Sequence, residues 1–348
     1  MDADSFLHGL GGDYHSPVSM KQIARLAGVS QSTVSRILSR STSRVPISEE
    51  TRERVLAAMK EMGYRPNLLA RRLRSDEPHA LFIALATASQ APLVVLSSVY
   101  NGAVLYASSS PVPIQLTVEP YGRGHLRDLP GLLSMSRFNG AIISNSSPED
   151  ERFLAGQGVA VPVIVFNRRV DGCNYIDSTN AQSGRLAAEY LIQRGRRHLC
   201  VLYAAMLTQS TDLRRQAFLE TAQQHGLPRW AEAVGATFNE DGGYEAMTAF
   251  LATGRPCDGV FCVGDYMAVG AMHALRGSGR RIPVDVAVVG HDNVDMARYT
   301  VPPLTTFDLP LRDMAQAAME ALVGILTSEV AEPVQKVFET KLVIRESA

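Results

Sequence analysis

Residues 20–38 read MKQIARLAGVSQSTVSRIL, and the spacing within them predicts two short helices joined by a tight turn. In the first half Ile23, Ala24 and Ala27 recur at helical intervals, Ser19 stands where an N-cap belongs, and Gly28 ends the helix. In the second half Ser30 caps a helix over 31–38 whose Val34, Ile37 and Leu38 face inward, with Gln31, Ser32, Ser35 and Arg36 outward. The turn between them is Gly28-Val29-Ser30. After a polar loop, 39–46, Ser48 caps a third helix, with Thr51 where a capping box prefers Glu. Val55, Leu56 and Met59 are expected inward, and Gly63 closes the helix after about Met62. Two short helices with a glycine-containing turn and a third packed across them make the helix-turn-helix, which lays its second helix in the major groove of DNA. The same spacing also suits a three-helix packing module without DNA.

Charge favours the DNA reading. Residues 18–75 carry 12 Lys/Arg against 4 Asp/Glu, a surplus of eight, while the whole chain of 348 residues is at -1. A basic head beside an acidic body fits a head that meets phosphate. The four cysteines, Cys173, Cys200, Cys257 and Cys262, form no CxxC pair and have no zinc-like His spacing, so they are expected to be reduced thiols, mostly buried. Residues 1–17 are short, polar and punctuated by Gly9, Gly11, Gly12 and Pro17, which predicts disorder. They have no apolar signal-peptide core, and no run of about 18 apolar residues follows anywhere. A cytoplasmic protein without membrane contact is therefore expected.

Beyond residue 79 short apolar runs alternate with helical patterns. Strands are predicted at 81–86, 114–118, 140–144, 161–166, 199–203, 259–263 and 286–290, and helices at 181–194, 213–225 and 243–252. This βαβ rhythm predicts doubly wound parallel sheets with helices on both faces, split into two lobes.

The residues from Met20 to Ser30 and from Thr33 to Leu38 resemble the LacI family of bacterial repressors. Further matches follow in order: Thr51-Arg52-Glu53-Arg54-Val55, Gly63-Tyr64-Arg65-Pro66-Asn67, Ala70, Leu73, Val289-Gly290-His291-Asp292 and Pro302-Pro303-Leu304-Thr305-Thr306. The resemblance spans residues 18–346. Gln22 departs from the family's usual Asp, which weakens a cap, and the 39–46 loop is longer than common. The implied fold is an all-α helix-turn-helix domain over 18–66, a hinge helix and linker over 67–78, and an α/β two-lobed periplasmic-binding-protein-like body over 79–346. Lobe one would take about 79–178 plus 308–333, and lobe two about 179–307 plus 334–346.

By position the resemblance implies base reading by Gln31, Ser32 and Arg36. The chemistry agrees, since an Arg pairs bidentately with guanine and a Gln with adenine. Ser19, Ser30, Thr33, Ser35 and Asn67 suit phosphate or backbone contacts, or are simple caps and solvated hydroxyls. In the implied hinge, Ala70 and Leu73 would lie in the minor groove with Leu73 as the wedge that kinks the duplex, beside Arg71, Arg72 and Arg74; a linker leucine packed on the body is the alternative.

For the body, the resemblance implies a small-molecule effector, a sugar or related polar metabolite, held between the lobes, with Arg214 reaching one of its oxygens and Asp292 capping or binding from the opposite strand end. Tyr244 stands where the family often sets an aromatic against the effector, or is a packing tyrosine. Ser89, Gln90, Asn145 and Arg168 follow strand candidates and are expected to line the first lobe. The turn Ser89-Gln90-Ala91-Pro92-Leu93 lacks the family's aromatics. Asp265 is expected to cap the helix that follows it. A guanidinium and a carboxylate across a cleft suit polyhydroxy or carboxylate ligands without deciding between them.

The expected partners are double-stranded operator DNA, the effector and a second copy of the chain, in an isologous dimer formed by helices of the first lobe; no leucine heptad follows the last strand at 341–345, so no tail-bundled tetramer is expected. The expected role is a repressor whose effector either releases DNA or promotes binding. No intact GxGxxG, P-loop, GxSxG or metal-spaced His pattern occurs; Gly122-Arg123-Gly124 lacks a third glycine and reads as a loop. No catalytic residue, metal or cofactor is expected.

Overall fold

In a computed structural model of the chain, the described residues are 20–39, 47–61, 80–89, 93–134, 137–156, 158–227, 231–330 and 333–348. The expectations for 1–17, Ser19, Asn67, Ala70, Leu73, Gln90 and the hinge over 67–78 lie outside them. The chain divides into two units, Met1–Glu77 and Pro78–Ala348.

The first unit contains helices α1 (Met20–Ala27), α2 (Gln31–Ser39) and α3 (Glu49–Glu61). Ile23, Ala24, Ala27, Val34, Ile37, Val55 and Ala58 are buried together, with Val29, Ile47 and Met59 against them. Gly28 adopts φ 65°, a left-handed conformation that glycine enters without a Cβ penalty, and turns the chain out of α1. Ser30 Oγ accepts from the Thr33 amide at 3.1 Å and Ser48 Oγ from the Thr51 amide at 3.3 Å, so both expected caps form. Leu56 corrects the reading of α3: it is 49% exposed, because Val55, Ala58 and Met59 already occupy the inward stripe and Leu56 points about 100° from Val55.

The second unit holds two six-stranded sheets. One contains β1 (Leu81–Ala88), β2 (Ile114–Tyr121), β3 (Gly140–Ser144), β4 (Val163–Phe166), β5 (Asn174–Ser178) and β11 (Gln335–Phe338), in the order β11-β5-β4-β3-β1-β2. The other contains β6 (Leu199–Ala204), β7 (Ala231–Gly235), β8 (Gly259–Cys262), β9 (Ala287–Asp292), β10 (Thr305–Asp308) and β12 (Lys341–Val343), in the order β12-β10-β9-β8-β6-β7. The pairings are parallel except β10 with β12. Each sheet has an apolar core on both faces, as doubly wound sheets must.

Helices α4 (Leu93–Ser109), α5 (Pro148–Ala155) and α10 (Leu311–Leu326) belong to the first lobe, and α6 (Asn180–Gln193), α7 (Gln209–Gln224), α8 (Glu240–Ala252) and α9 (Asp265–Gly277) to the second. The chain passes between lobes after β5, after β10 and after β11. Thr179 and Thr340 tie two of these crossings: the Thr340 amide donates to Thr179 Oγ1 at 3.0 Å, and Ser183 Oγ lies 2.7 Å from Thr340 Oγ1.

The expected lobe limits need one correction. Residues 335–338, assigned to lobe two from the sequence, form β11 and pair with β5 of the first sheet, because the chain crosses back before its last strand instead of after α10. Strands β5, β7 and β10 are additions. Their segments, NYIDS, AEAVG and TTFD, are short or polar, and the buried Asn174 in β5 is satisfied by donating to Val163 O and accepting from the Val334 amide.

Candidate functional site

In α2 the inward spacing of Val34 and Ile37 turns Gln31 and Ser32 outward, where both are exposed. Ser30 Oγ is 2.7 Å from Ser32 Oγ and 2.8 Å from Thr33 Oγ1 while it caps the helix, so its hydroxyl is already engaged locally. Ser35 and Arg36 lie within α2; their side chains are outside the described structure. A short, capped helix with a polar outer face and an apolar inner one is the form a recognition helix takes.

The second site is a cavity of about 450 Å³ at the carboxyl ends of both sheets. Parallel strands all end on the same side, and the loops that follow converge there. Three of those loops bend through left-handed non-glycine residues, Asn145 (φ 57°) after β3, Asn167 (φ 56°) after β4 and Asp292 (φ 109°) at the end of β9. Such conformations carry a cost and cluster where a backbone is held for a purpose. All three residues line the cavity.

Arg214 projects from the first turns of α7 and is 2% exposed. Its Nε donates to Asn180 Oδ1 at 2.8 Å, its Nη1 donates to Val263 O at 2.8 Å, and Nη1 lies 3.4 Å from Asp292 Oδ1. Its Nη2 has no partner among the described residues. Burial lowers the guanidinium's affinity for its proton and Asp292 raises it. Asp292 also accepts from His291, whose Nδ1 is 3.0 Å away, while His291 Nε2 is 3.1 Å from Ser183 Oγ. The fully buried imidazole is pushed down to about 4, first by burial and then by Arg214, so it is neutral at physiological pH.

Arg168 is the first-lobe counterpart, 3% exposed. Its Nε donates to Ser146 O at 3.1 Å and lies 3.3 Å from Glu151 Oε1; its Nη2 donates to Asn145 Oδ1 at 3.3 Å. The lobes also touch directly around this point. Ser210 Oγ donates to Asn167 O at 2.6 Å, Gln209 and the Arg169 backbone exchange two hydrogen bonds of 2.9 and 3.0 Å, and Arg123 Nη2 donates to Leu207 O at 3.2 Å.

Of the expected effector residues, the structure brings Arg214, Asp292, Arg168 and Asn145 to one cavity. Tyr244 is a correction: it stands 42% exposed on α8 with its ring 5.3 Å from that of His273, away from the cavity lining, because its position on α8 faces α9. Ser89 is also outside the lining; its amide donates to Tyr121 O and continues the β1–β2 edge. Asp265 is a further correction. Its Oδ1 accepts from Thr306 Oγ1 and its Oδ2 from the Val294 amide, so it ties α9 to β10 and to the segment after β9 in place of capping its own helix. Burial pushes its carboxyl up to about 8.

Sequence reasoning missed Arg123, Phe166, Phe238 and Asn239, which are also among the lining residues. Asn239 carried a signal, since its Oδ1 accepts from the Gly242 amide as the N-cap of α8; Phe238 carried none. Among the described residues no cluster of His, Cys, Asp or Glu is arranged to hold a metal, and no helix is long and apolar enough to cross a membrane.

Comparison with known proteins agrees with this fold. Residues 19–67 match the family model for bacterial regulatory proteins of the lacI family, and residues 188–348 that for a periplasmic binding protein-like domain. The chain is 31% identical to the HTH-type transcriptional regulator CelR of Thermobifida fusca over 94% of this chain and 98% of that one. It is 30% identical to the HTH-type transcriptional repressor PurR of Yersinia pestis (strain Pestoides F), over 94% and 96%. Among solved structures, the lac repressor dimer bound to operator and the anti-inducer ONPF is similar, with TM-score 0.69 at 25% identity over 95% of this chain and 99% of that one. The CelR–cellobiose complex is similar with TM-score 0.68 at 29% identity over 95% and 100%.

Proposed function

The chain belongs to the LacI family of bacterial regulatory proteins, and from that premise we propose how it works: as a dimeric repressor of transcription whose grip on operator DNA is set by a small polar molecule bound between its two lobes. The observation that carries this reading is the cavity at the carboxyl ends of both sheets, into which Arg214, Asp292 and Arg168 converge from different elements.

On the DNA side, Gln31, Ser32 and Arg36 read base edges, and Ser19, Ser30, Thr33, Ser35 and Asn67 fix register on the backbone. Ala70 and Leu73 enter the minor groove, with Leu73 wedged between base steps. Two copies present two such heads to two half-sites. Domain limits near residues 66 and 78 follow from this division of labour. The protein is a regulator and catalyses no reaction, and it works in the cytoplasm beside the DNA it controls.

On the effector side, Arg214 and Asp292 supply donors and acceptors to ligand hydroxyls, with Asn145 and Arg168 opposite. Relatives and neighbours include a cellobiose-bound CelR, and a sugar or comparable polar metabolite suits this wall. Ligand binding acts on DNA only through a difference in affinity between two lobe arrangements, of about 1–3 kcal/mol for a useful switch. The contacts of Gln209, Ser210 and Arg123 across the lobes are the ones such a rearrangement has to remake.

The test is to select bound DNA from a random pool with the full chain, then titrate sugars into a gel shift on the selected site. A ligand-dependent change in affinity is expected. Sequence-independent binding, or binding that no ligand alters, overturns the reading.

A further inference from the structure

The guanidiniums around the cavity are not equally paired. Of the three guanidiniums that line it, Arg214 faces Asp292 at 3.4 Å and Arg168 faces Glu151 at 3.3 Å. Arg123 makes no ion pair among the described residues; its one described hydrogen bond goes to Leu207 O at 3.2 Å, and Glu151 lies within electrostatic reach of it. Asp150 stands behind the same loop, but its oxygens accept from the amides of Gly124, Leu126 and Ser147 and from the Ser147 hydroxyl, and it does not line the cavity. Arg123 and Arg168 lie within electrostatic reach of each other. Of the lining guanidiniums Arg123 alone is therefore left without an ion pair among the described residues.

From this we infer that the effector is a polyol bearing an anionic oxygen group, a carboxylate or a phosphate, and that Arg123 is the residue that selects for it. The inference rests on the effector reading above and names the chemical class of that ligand. A guanidinium pairs with a carboxylate or phosphate through two parallel charge-assisted hydrogen bonds, roughly twice as strong as neutral ones, whereas a hydroxyl offers it one neutral acceptor. In a half-enclosed cavity the Coulomb attraction is larger than in water. Arg214 and Asp292 remain for the hydroxyls. Arg123 also bridges to the second lobe through Leu207, so an anion that draws its guanidinium inward acts on the same hydrogen bond that joins the lobes. Discrimination between acid and neutral sugars thus becomes a difference in lobe contact as well as in affinity.

The test is calorimetric titration of the full chain with D-glucuronate, D-gluconate and glucose 6-phosphate beside D-glucose and cellobiose, on the wild type and on Arg123→Gln and Arg123→Lys, with thermal unfolding to establish that each variant is folded. At least one anionic sugar is expected to bind ten-fold or more tightly than its neutral counterpart. That ratio should collapse toward one in Arg123→Gln and return in part in Arg123→Lys. The acids against the phosphate show which anion the cavity takes. Neutral sugars binding as well as the anionic ones, or a ratio that Arg123→Gln leaves intact, overturns the anionic class and leaves the effector reading standing. If no sugar of either kind binds the folded wild type, both fall.

Discussion

The Arg214 guanidinium and the Asp292 carboxylate lie 3.4 Å apart, both almost wholly buried, at the mouth of a cavity that both lobes enclose. Neither is held by the other alone. Arg214 is also fastened to Asn180 and Val263, and Asp292 to His291. Each side chain thus keeps a fixed direction, with donor and acceptor capacity left toward the cavity.

Breaking this pair by Arg214→Ala should destabilise the body by about 3–5 kcal/mol, because Asp292 is left as an uncompensated buried charge. Denaturant unfolding measures the loss. Arg214→Lys should retain more of the stability yet still weaken effector binding, since a lysine ammonium cannot span Asn180, Val263 and Asp292 with a planar fork. Equal stability of Arg214→Ala and wild type would show that the pair contributes nothing.

His291 and Asp265 should tilt stability with pH in opposite senses. The native imidazole takes its proton only near pH 4, whereas an unfolded one takes it near 6.5, so His291's contribution is full above 6.5 and is lost as pH falls toward 4, on the order of 3 kcal/mol at most. Asp265 holds its proton to about pH 8 in the fold, so its contribution is full below about 4 and is lost as pH rises through 8. Relative to wild type, His291→Gln should make stability fall more steeply with rising pH between 4 and 6.5, and Asp265→Asn should remove a decline between 6.5 and 8. Urea midpoints across pH 4–8 check both slopes; parallel curves would contradict the assignments.

Gly184 lets α6 approach α7 so closely that a Cβ there would strike the carbonyl oxygen of Arg214. Gly184→Ala should cost about 1–3 kcal/mol, as overpacking does, and should weaken ligand binding by displacing the turn that aims Arg214. Calorimetry and thermal melts together test it. A variant as stable and as avid as wild type would mean the helices separate without consequence.

Arg36→Ala should lower affinity for the selected operator about 5- to 150-fold, the equivalent of about 1–3 kcal/mol for one bidentate base contact, and relax selectivity at one base pair. Binding to a set of single-base operator variants measures this. A uniform loss across all sequences would reassign Arg36 to phosphate.

Much of this could be read from sequence because the relevant signals are local. The caps Ser30 and Ser48, the left-handed Gly28 and the apolar stripe of Ile23, Val34 and Val55 are each set by neighbours within a few residues. So are the runs that became β1, β3, β6 and β9, whose continuous burial needs apolar residues throughout. What escaped was decided by distant partners. β10 is threonine-rich because the Thr305 hydroxyl accepts from the Arg345 amide and the Thr306 hydroxyl donates to Asp265. β11 joined the first lobe through a pairing 160 residues away in sequence, Gln335 beside Tyr175. Leu56 followed hydrophobicity in the reading but stands on the wrong side of its helix.

The same division runs through the two sites. The sequence alone determined that the chain has a helix-turn-helix and a two-lobed α/β body; its resemblance to the LacI family pointed to Arg214 and Asp292, and a place just after strand candidates pointed to Arg168 and Asn145. Only the tertiary structure decided that these four share one cavity, that Tyr244 does not, and that Arg123 stands there without an ion pair among the described residues. The reason is physical: helix caps and apolar periodicity act over a single turn or strand, while charge balance in a cleft is a sum over loops that meet only after two sheets have formed.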